Sequence, residues 1–495
     1  MIELIYSILI PFLALIIPYY KLHNVGFNIS DEGYLWYGVQ QTLKGKVPIR
    51  DFRAYDPGRY YWCVFWCKIF GDNLLSIRLG MKVFQFIIYF IIFVTLNPVL
   101  NSVPIIFLLL ITLSLWSSII HKTIDNAVPV LSIASLTYFL MFPSQFSMAC
   151  FGLVLGFTLI IGLNHFIYNG LAMIGTLVIS YSILNSDIIL FGLIGLCLGV
   201  LPFIMFLMIP RSASTYWEKK IARILIRKTT NLKLPIPLPW NNHPEKMNNN
   251  VYKIALQWTL LIIPIFYFIS IILLWSTELN SPLLLASILV GIPYTNHIYS
   301  RADKNHIITG ISPLIFGLFG IYQFNILIFW PLFLLLLLSF YHLVWKADYR
   351  FYYDRNYAKA HTKLFLGKLE ILLPQTLSDQ IIRITTFIKN NDLDKSKFFA
   401  PMLAGYYAIL NTSTPTYDTF PVYPPSQKEQ EKMLADIKNS DIDFCMIRNF
   451  ALDGEENLKF EKTYPQVWNY LNNEFKQINL FNNDHQIFIK PECEI

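Results

Sequence analysis

Between residues 4 and 345 the chain returns again and again to stretches with no Asp, Glu, Lys or Arg. These are 4–20, 83–96, 103–120, 127–142, 150–163, 170–185, 188–209, 254–276, 282–294, 307–321 and 327–345. A membrane span needs about 20 mostly apolar residues. In lipid each backbone N–H and C=O must be satisfied inside the segment, so runs of this kind are helices. The pattern predicts a polytopic all-α membrane domain of about 11 transmembrane helices. Composition agrees, with 55% hydrophobic residues and 14% charged, against roughly 25% charged in soluble domains. Disordered and nucleic-acid-coating proteins are excluded, and no nucleic-acid partner is expected. The first apolar run lacks a basic leader and a small-residue cleavage site, so it reads as a retained span.

Beyond residue 345 the character changes. KLEILLPQ, KFFAPM, DFCMIRN and HQIFIKP read as short strands. LSDQIIRITTFIKNN, QKEQEKMLADIKNS and YPQVWNYLNNEF read as amphipathic helices. Strands alternating with helices predict a small soluble α/β domain over 346–495, following a membrane domain over 1–345. Two long polar loops interrupt the membrane domain, 21–82 and 211–253. Of the six cysteines only Cys63 and Cys67 are closely spaced. With no histidine nearby they read as helix packing.

Topology and charge disagree. With a cytoplasmic N-terminus and eleven spans, both long loops, the 295–306 loop and the tail lie outside. Yet 211–253 carries nine Lys/Arg (Arg211, Lys219, Lys220, Arg223, Arg227, Lys228, Lys233, Lys246, Lys253) against Glu218 and Glu245. The positive-inside rule places such loops in the cytoplasm, although it weakens for long loops.

The first loop holds the densest chemistry, NISDEGYLWYGVQQTLKGKVPIRDFRAYDPGRYYW. Ser30 is placed to cap a helix opening with Asp31 and Glu32, where carboxylates favour the positive end of the dipole. Arg50, Asp51, Arg53, Asp56 and Arg59 follow. Residues of this type suit a charged or sugar-like ligand; the plain alternative is a capped surface helix with solvated charges.

Asp31-Glu32, Gly45, Pro48, Asp51-Phe52, Asp56-Pro57 and Tyr61-Trp62 stand in an order that resembles the GT-C fold membrane glycosyltransferases. The likeness is to the bacterial family 39-like enzymes, which resemble protein O-mannosyltransferases, aminoarabinose transferases and lipopolysaccharide-core galacturonosyltransferases. The resemblance implies that Asp31 is the catalytic carboxylate, with Glu32 beside it. Family members often carry acid-Lys-Pro-Pro before the Tyr-Trp, where this chain has Asp56-Pro57-Gly58-Arg59. It further implies donor phosphate contacts by Arg53, Arg59 and Arg301. Asp56, Asp303 and His306 fall to support of the site or to a divalent cation. SRADKNHIITGISPL, residues 300–314, resembles an Arg-x-Asp-x-x-His loop of bacterial relatives. Asp125 reads as support for the donor site or a helix end, and His165 as a helix-end histidine.

The implied partners are a polyprenyl-phosphate-linked sugar donor, a cell-envelope acceptor and the lipid bilayer of the bacterial inner membrane. The implied orientation turns the active site and C-terminal domain toward the periplasm. The residue types fit that inverting transfer. A carboxylate of ordinary pKa near 4 is ionised at neutral pH and can take a hydroxyl proton. The departing lipid phosphate gathers charge that forked guanidinium donors stabilise. Two other readings remain: a transporter or flippase for lipid-linked sugars, which needs charged groups within several spans, and a non-catalytic membrane scaffold. No GxxxxGK[ST] motif supports an ATPase.

Overall fold

The computed structural model describes residues 2–227, 232, 234–240, 251–276, 281–366, 369–480 and 485–491. Lys228, Lys233, Glu245, Lys246 and Cys493 lie outside the described residues.

Every apolar run is helical. In chain order the helices are α1 (Ile2–Leu22), α2 (Asp31–Leu43), α3 (Gly58–Phe70), α4 (Leu74–Leu100), α5 (Val103–Trp116), α6 (Thr123–Met141), α7 (Gln145–Ile161), α8 (Leu163–Ile179) and α9 (Ser186–Met208). Short helices α10 (Ser212–Tyr216) and α11 (Arg223–Arg227) flank a π-helical turn, Trp217–Ala222. Then come α12 (Val251–Ser276), α13 (Pro282–Ser300), α14 (Lys304–Gly310), α15 (Ser312–Tyr322) and α16 (Ile326–Phe340).

Six described helical segments are long and apolar enough to cross a membrane: Glu3–Leu22, Leu74–Leu100, Ile120–Met141, Ser186–Met208, Lys253–Ser276 and Ile326–Asp348. The pair α14–α15, bent by 41°, makes a seventh if it is one span. The helices α5, α7 and α8 are apolar but shorter. The protein is a multi-pass membrane protein, and among the described residues fewer helices have the length and composition of a full span than there are apolar runs.

Contacts divide the chain into two discontinuous units. One holds residues 1–23, 79–210 and 227–355; the other holds 24–78, 211–226 and 356–495. The expected boundary after residue 345 differs from this division, which groups the first loop and 211–226 with the tail.

In the membrane unit, α7 and α9 pack with almost no side chain between their backbones. A Cβ on Gly152 would fall 2.1 Å from the Gly192 oxygen, and one on Gly195 would fall 2.0 Å from the Ala149 oxygen. Small residues permit this approach where lipid supplies no hydrophobic drive between helices.

The tail of the second unit carries a four-stranded sheet ordered β3-β4-β6-β5, from β3 (Ser396–Ala400), β4 (Ile442–Arg448), β5 (Lys476–Ile478) and β6 (His485–Ile489). β3 and β4 are parallel, and the other pairings are antiparallel. Helices 427–439 and 465–474 cover it through Met433, Ile437, Val467 and Leu471, packed with Phe398, Ile447 and Phe488. A separate hairpin joins β1 (His361–Leu366) to β2 (Leu369–Pro374). The first loop docks onto these elements. Val25 bridges Leu372, and Gly405 N donates to the Ile29 carbonyl at 2.8 Å. There a Cβ on Gly33 would lie 2.4 Å from Gly405 Cα, and one on Gly405 would lie 2.7 Å from the Ile29 oxygen, so the close approach of α2 to the helix over 404–409 needs glycine on both sides.

Candidate functional site

The second unit gathers Asp31, Glu32, Arg53, Asp56 and Arg59, all from the first loop. Ser30 does not cap α2. Its hydroxyl donates to the Met402 carbonyl at 2.7 Å, and its own φ and ψ are helical. Asn28 does the capping instead, its side-chain oxygen accepting from the Ser30 and Asp31 backbone N–H groups at 3.0 Å each. The capping side chain therefore lies two positions before Ser30, while α2 still begins at Asp31.

The two adjacent acids have different surroundings. Glu32 is buried and takes two charge-assisted hydrogen bonds of 2.7 Å from Arg78, at Nε and Nη2. Arg78 Nη2 also donates to the Gly26 carbonyl. Asp31 is partly exposed at the amino end of α2, where the helix dipole favours its charge.

Arg53 reaches both Asp418 carboxylate oxygens through Nη1, at 2.8 and 2.7 Å, and the Phe420 carbonyl at 2.7 Å. Burial works against its charge, but the Asp418 carboxylate outweighs this and holds the guanidinium firmly protonated. This guanidinium is committed to binding the first loop to the tail segment.

Asp56 is buried and accepts from Tyr216 Oη and Lys220 Nζ, each at 3.2 Å. Burial and then the neighbouring Asp56 charge push the Tyr216 phenol well up. Arg59, also buried, stacks over the Tyr55 ring at 4.7 Å. Arg59 and Lys220 thus bring two cations, with Asp56 and Tyr216, into the neighbourhood of the Asp56-Pro57 motif.

Arg301, Asp303 and His306 form a cluster of their own in the membrane unit. Asp303 caps α14, accepting from the His306 backbone at 3.0 Å and pairing with His306 Nδ1 at 2.7 Å. Arg301 Nε donates to its other oxygen at 2.6 Å, and Arg301 Nη1 donates to the Leu232 carbonyl. Burial alone would raise the Asp303 pKa, but hydrogen bonds and charge from His306, with Arg301, bring it down to about 2. In the same unit His165 is buried between Asp125 Oδ1 (3.2 Å) and the Tyr294 hydroxyl (2.7 Å). It is a buried, hydrogen-bonded histidine in the first turn of α8, in keeping with the helix-end reading.

Among the described residues no group of three or more His, Cys, Asp or Glu side chains is placed to hold a metal ion. Asp56 is engaged by Tyr216 and Lys220, and Asp303 by His306 and Arg301. A divalent cation finds no assembled ligand set there.

Sequence reasoning missed Asn28, Arg78, Asp418, Tyr216 and Lys220 as site neighbours. Arg78 carried a weak signal, a cation just before an apolar run. Asp418 lies 365 positions from Arg53, beyond any local spacing.

The fold is that of a multi-pass membrane protein with a polytopic helical domain and a small α/β domain. The fold is similar to that of ArnT from Cupriavidus metallidurans. The apo structure of ArnT matches with a TM-score of 0.52 and 11% identity, covering 98% of this chain and 97% of that one. The structure of ArnT bound to undecaprenyl phosphate matches with a TM-score of 0.52 and 9% identity over the same shares. No family model matches the sequence, and no curated protein sequence does.

Proposed function

We propose that this protein is an inverting membrane glycosyltransferase. It moves a sugar from a polyprenyl-phosphate donor to an acceptor hydroxyl on a cell-envelope glycan, lipid or protein. The observation that carries the proposal is the division within the acid pair, in a chain folded like a protein solved with undecaprenyl phosphate. Arg78 holds Glu32 inside the unit, while Asp31 stands partly exposed at the helix start.

In the proposed reaction the acceptor oxygen attacks the anomeric carbon from the face opposite the phosphate, and Asp31 takes the hydroxyl proton. The bond from the anomeric carbon to the phosphate oxygen breaks, and polyprenyl phosphate departs with that electron pair. Arg59 and Lys220 supply positive charge for the leaving phosphate. Glu32 and Arg53 hold the loop in shape.

Grouping of 24–78, 211–226 and 356–495 in one compact unit supports a common side of the membrane for all three. For this chemistry that side is the exterior of the bacterial cytoplasmic membrane. Basic residues in 211–226 then serve lipid phosphate, which is a physical reason for breaking the positive-inside pattern.

A carrier of lipid-linked sugars is the second reading. It is favoured by buried Lys82, Asp125 and His165 in apolar helices, charges that a loops-only view of the sequence had missed. The deciding experiment incubates the purified full chain with a panel of polyprenyl-phosphate sugars and acceptors. Donor consumption with inverted anomeric configuration in the product supports transfer. Retained donor, moved across a vesicle membrane without chemistry, supports the carrier.

A further inference from the structure

Lys82 sits eight residues into α4, about 12 Å along its axis. It is buried, at 8% exposure. Its ammonium donates to Gln85 Oε1 at 2.9 Å, and Gln85 Nε2 donates in turn to the Tyr89 hydroxyl at 2.9 Å. Among the described residues no carboxylate pairs with it, whereas other cations of the same unit have theirs: Arg301 with Asp303, Lys304 with Asp348, Lys122 with Asp125. Close to Tyr89 lies Tyr349, whose buried hydroxyl makes no hydrogen bond within the described residues.

Lysine is almost never buried unless paired. An uncompensated buried ion carries a desolvation penalty of several kcal/mol, so a group of this kind inside a span marks a ligand's path. Depth narrows the ligand class. A 27-residue helix is about 40 Å long, against about 30 Å of hydrocarbon. Centred in the bilayer, it puts Lys82 some 7 Å below the hydrocarbon edge, where a lysine stem reaches toward headgroup level.

We infer that Lys82 is the counter-charge for a phosphate ester entering the membrane unit from the lipid, with the Gln85–Tyr89 chain fixing the ammonium. The ester belongs either to a polyprenyl phosphate or to a phospholipid headgroup. The inference stands apart from sugar transfer, because it concerns phosphate binding alone.

The test is thermal unfolding of the detergent-solubilised full chain with undecaprenyl phosphate, undecaprenol or phosphatidylglycerol. The wild type should gain stability with undecaprenyl phosphate and not with undecaprenol. Lys82→Met, and Lys82→Gln should the methionine variant fold poorly, should unfold no lower than wild type without lipid. Each should bind the phosphate lipid about 10- to 100-fold more weakly, the worth of a charged hydrogen bond. An equal, Lys82-dependent gain with phosphatidylglycerol assigns the ester to a bilayer lipid. The inference is overturned if wild type gains nothing from either phosphate lipid, or if the variants gain as much as wild type. A Lys82-dependent gain without sugar transfer under any condition would keep this inference and remove the proposed function.

Discussion

Arg78 grips Glu32 by two parallel hydrogen bonds of 2.7 Å, with side-chain exposures of 2% and 5%. The pair ties the second turn of α4 to the first turn of α2, and so fixes where Asp31 emerges. Removing one partner leaves an uncompensated buried charge, which costs about 3–5 kcal/mol. Arg78→Met and Glu32→Gln should each lower thermal unfolding in detergent by that amount. Replacing both partners with apolar residues of similar volume should recover much of the loss. Single variants as stable as wild type would mean that the pair does not organise the loop.

Arg53 is expected to act on stability before it acts on ligand. In a double-mutant cycle, Arg53→Ala and Asp418→Ala should be strongly non-additive, with a coupling of about 1–3 kcal/mol. Unfolding measurements on the four proteins check this. Additive losses would free Arg53 for the phosphate contact that the family resemblance implies.

The Asp303 carboxyl has a folded pKa of about 2 against an ordinary 3.8. A depressed acid contributes stability above its unfolded pKa and loses it as pH falls through the folded one. The stability difference between wild type and Asp303→Asn should therefore be about 1–2 kcal/mol from pH 7 down to pH 4. It should shrink steadily between pH 4 and pH 2. A difference that does not depend on pH would show that only the cap geometry matters.

Glycines in the membrane unit should respond in opposite ways. Gly195→Val puts side-chain atoms into the Ala149 backbone of α7 and should cost about 3 kcal/mol or more. Gly170, on α8, has open space where a Cβ would point. Gly170→Ala should stabilise by about 0.5–1 kcal/mol through helix propensity. Unfolding midpoints of the two variants moving in the same direction would contradict the packing described.

Much of this architecture was legible in the sequence because lipid enforces it. All eleven uncharged runs are helical, since an unsatisfied backbone in hydrocarbon is too costly for any other solution. KFFAPM, DFCMIRN and HQIFIKP became β3, β4 and β6, because their apolar runs bury between helices. β1 and β5 were missed. HTKLFL mixes polar and apolar residues and is a strand by pairing with β2, and β5 has three residues. The polar stretch 21–82 hid the start of α4, because Arg78 and Lys82 look like loop charges until their burial is seen. The Asp-Glu pair was visible in the first loop. Its split into a buried acid and a partly exposed one was not, because Arg78 lies 46 positions away. The Ser30 signal misled for a similar reason, as Met402 draws that hydroxyl from 372 positions away.

The central claim is that Asp31 serves as base while Glu32 holds the loop. The most direct measurement follows sugar transfer from a polyprenyl-phosphate donor by wild type, Asp31→Asn and Glu32→Gln, with unfolding recorded on the same preparations. Asp31→Asn should stay folded, losing no more than about 1 kcal/mol of helix-dipole stabilisation, and lose about 10²–10⁴-fold in turnover, the usual worth of a positioned general base. Glu32→Gln should lose stability first. Undiminished transfer by a folded Asp31→Asn protein would contradict the account.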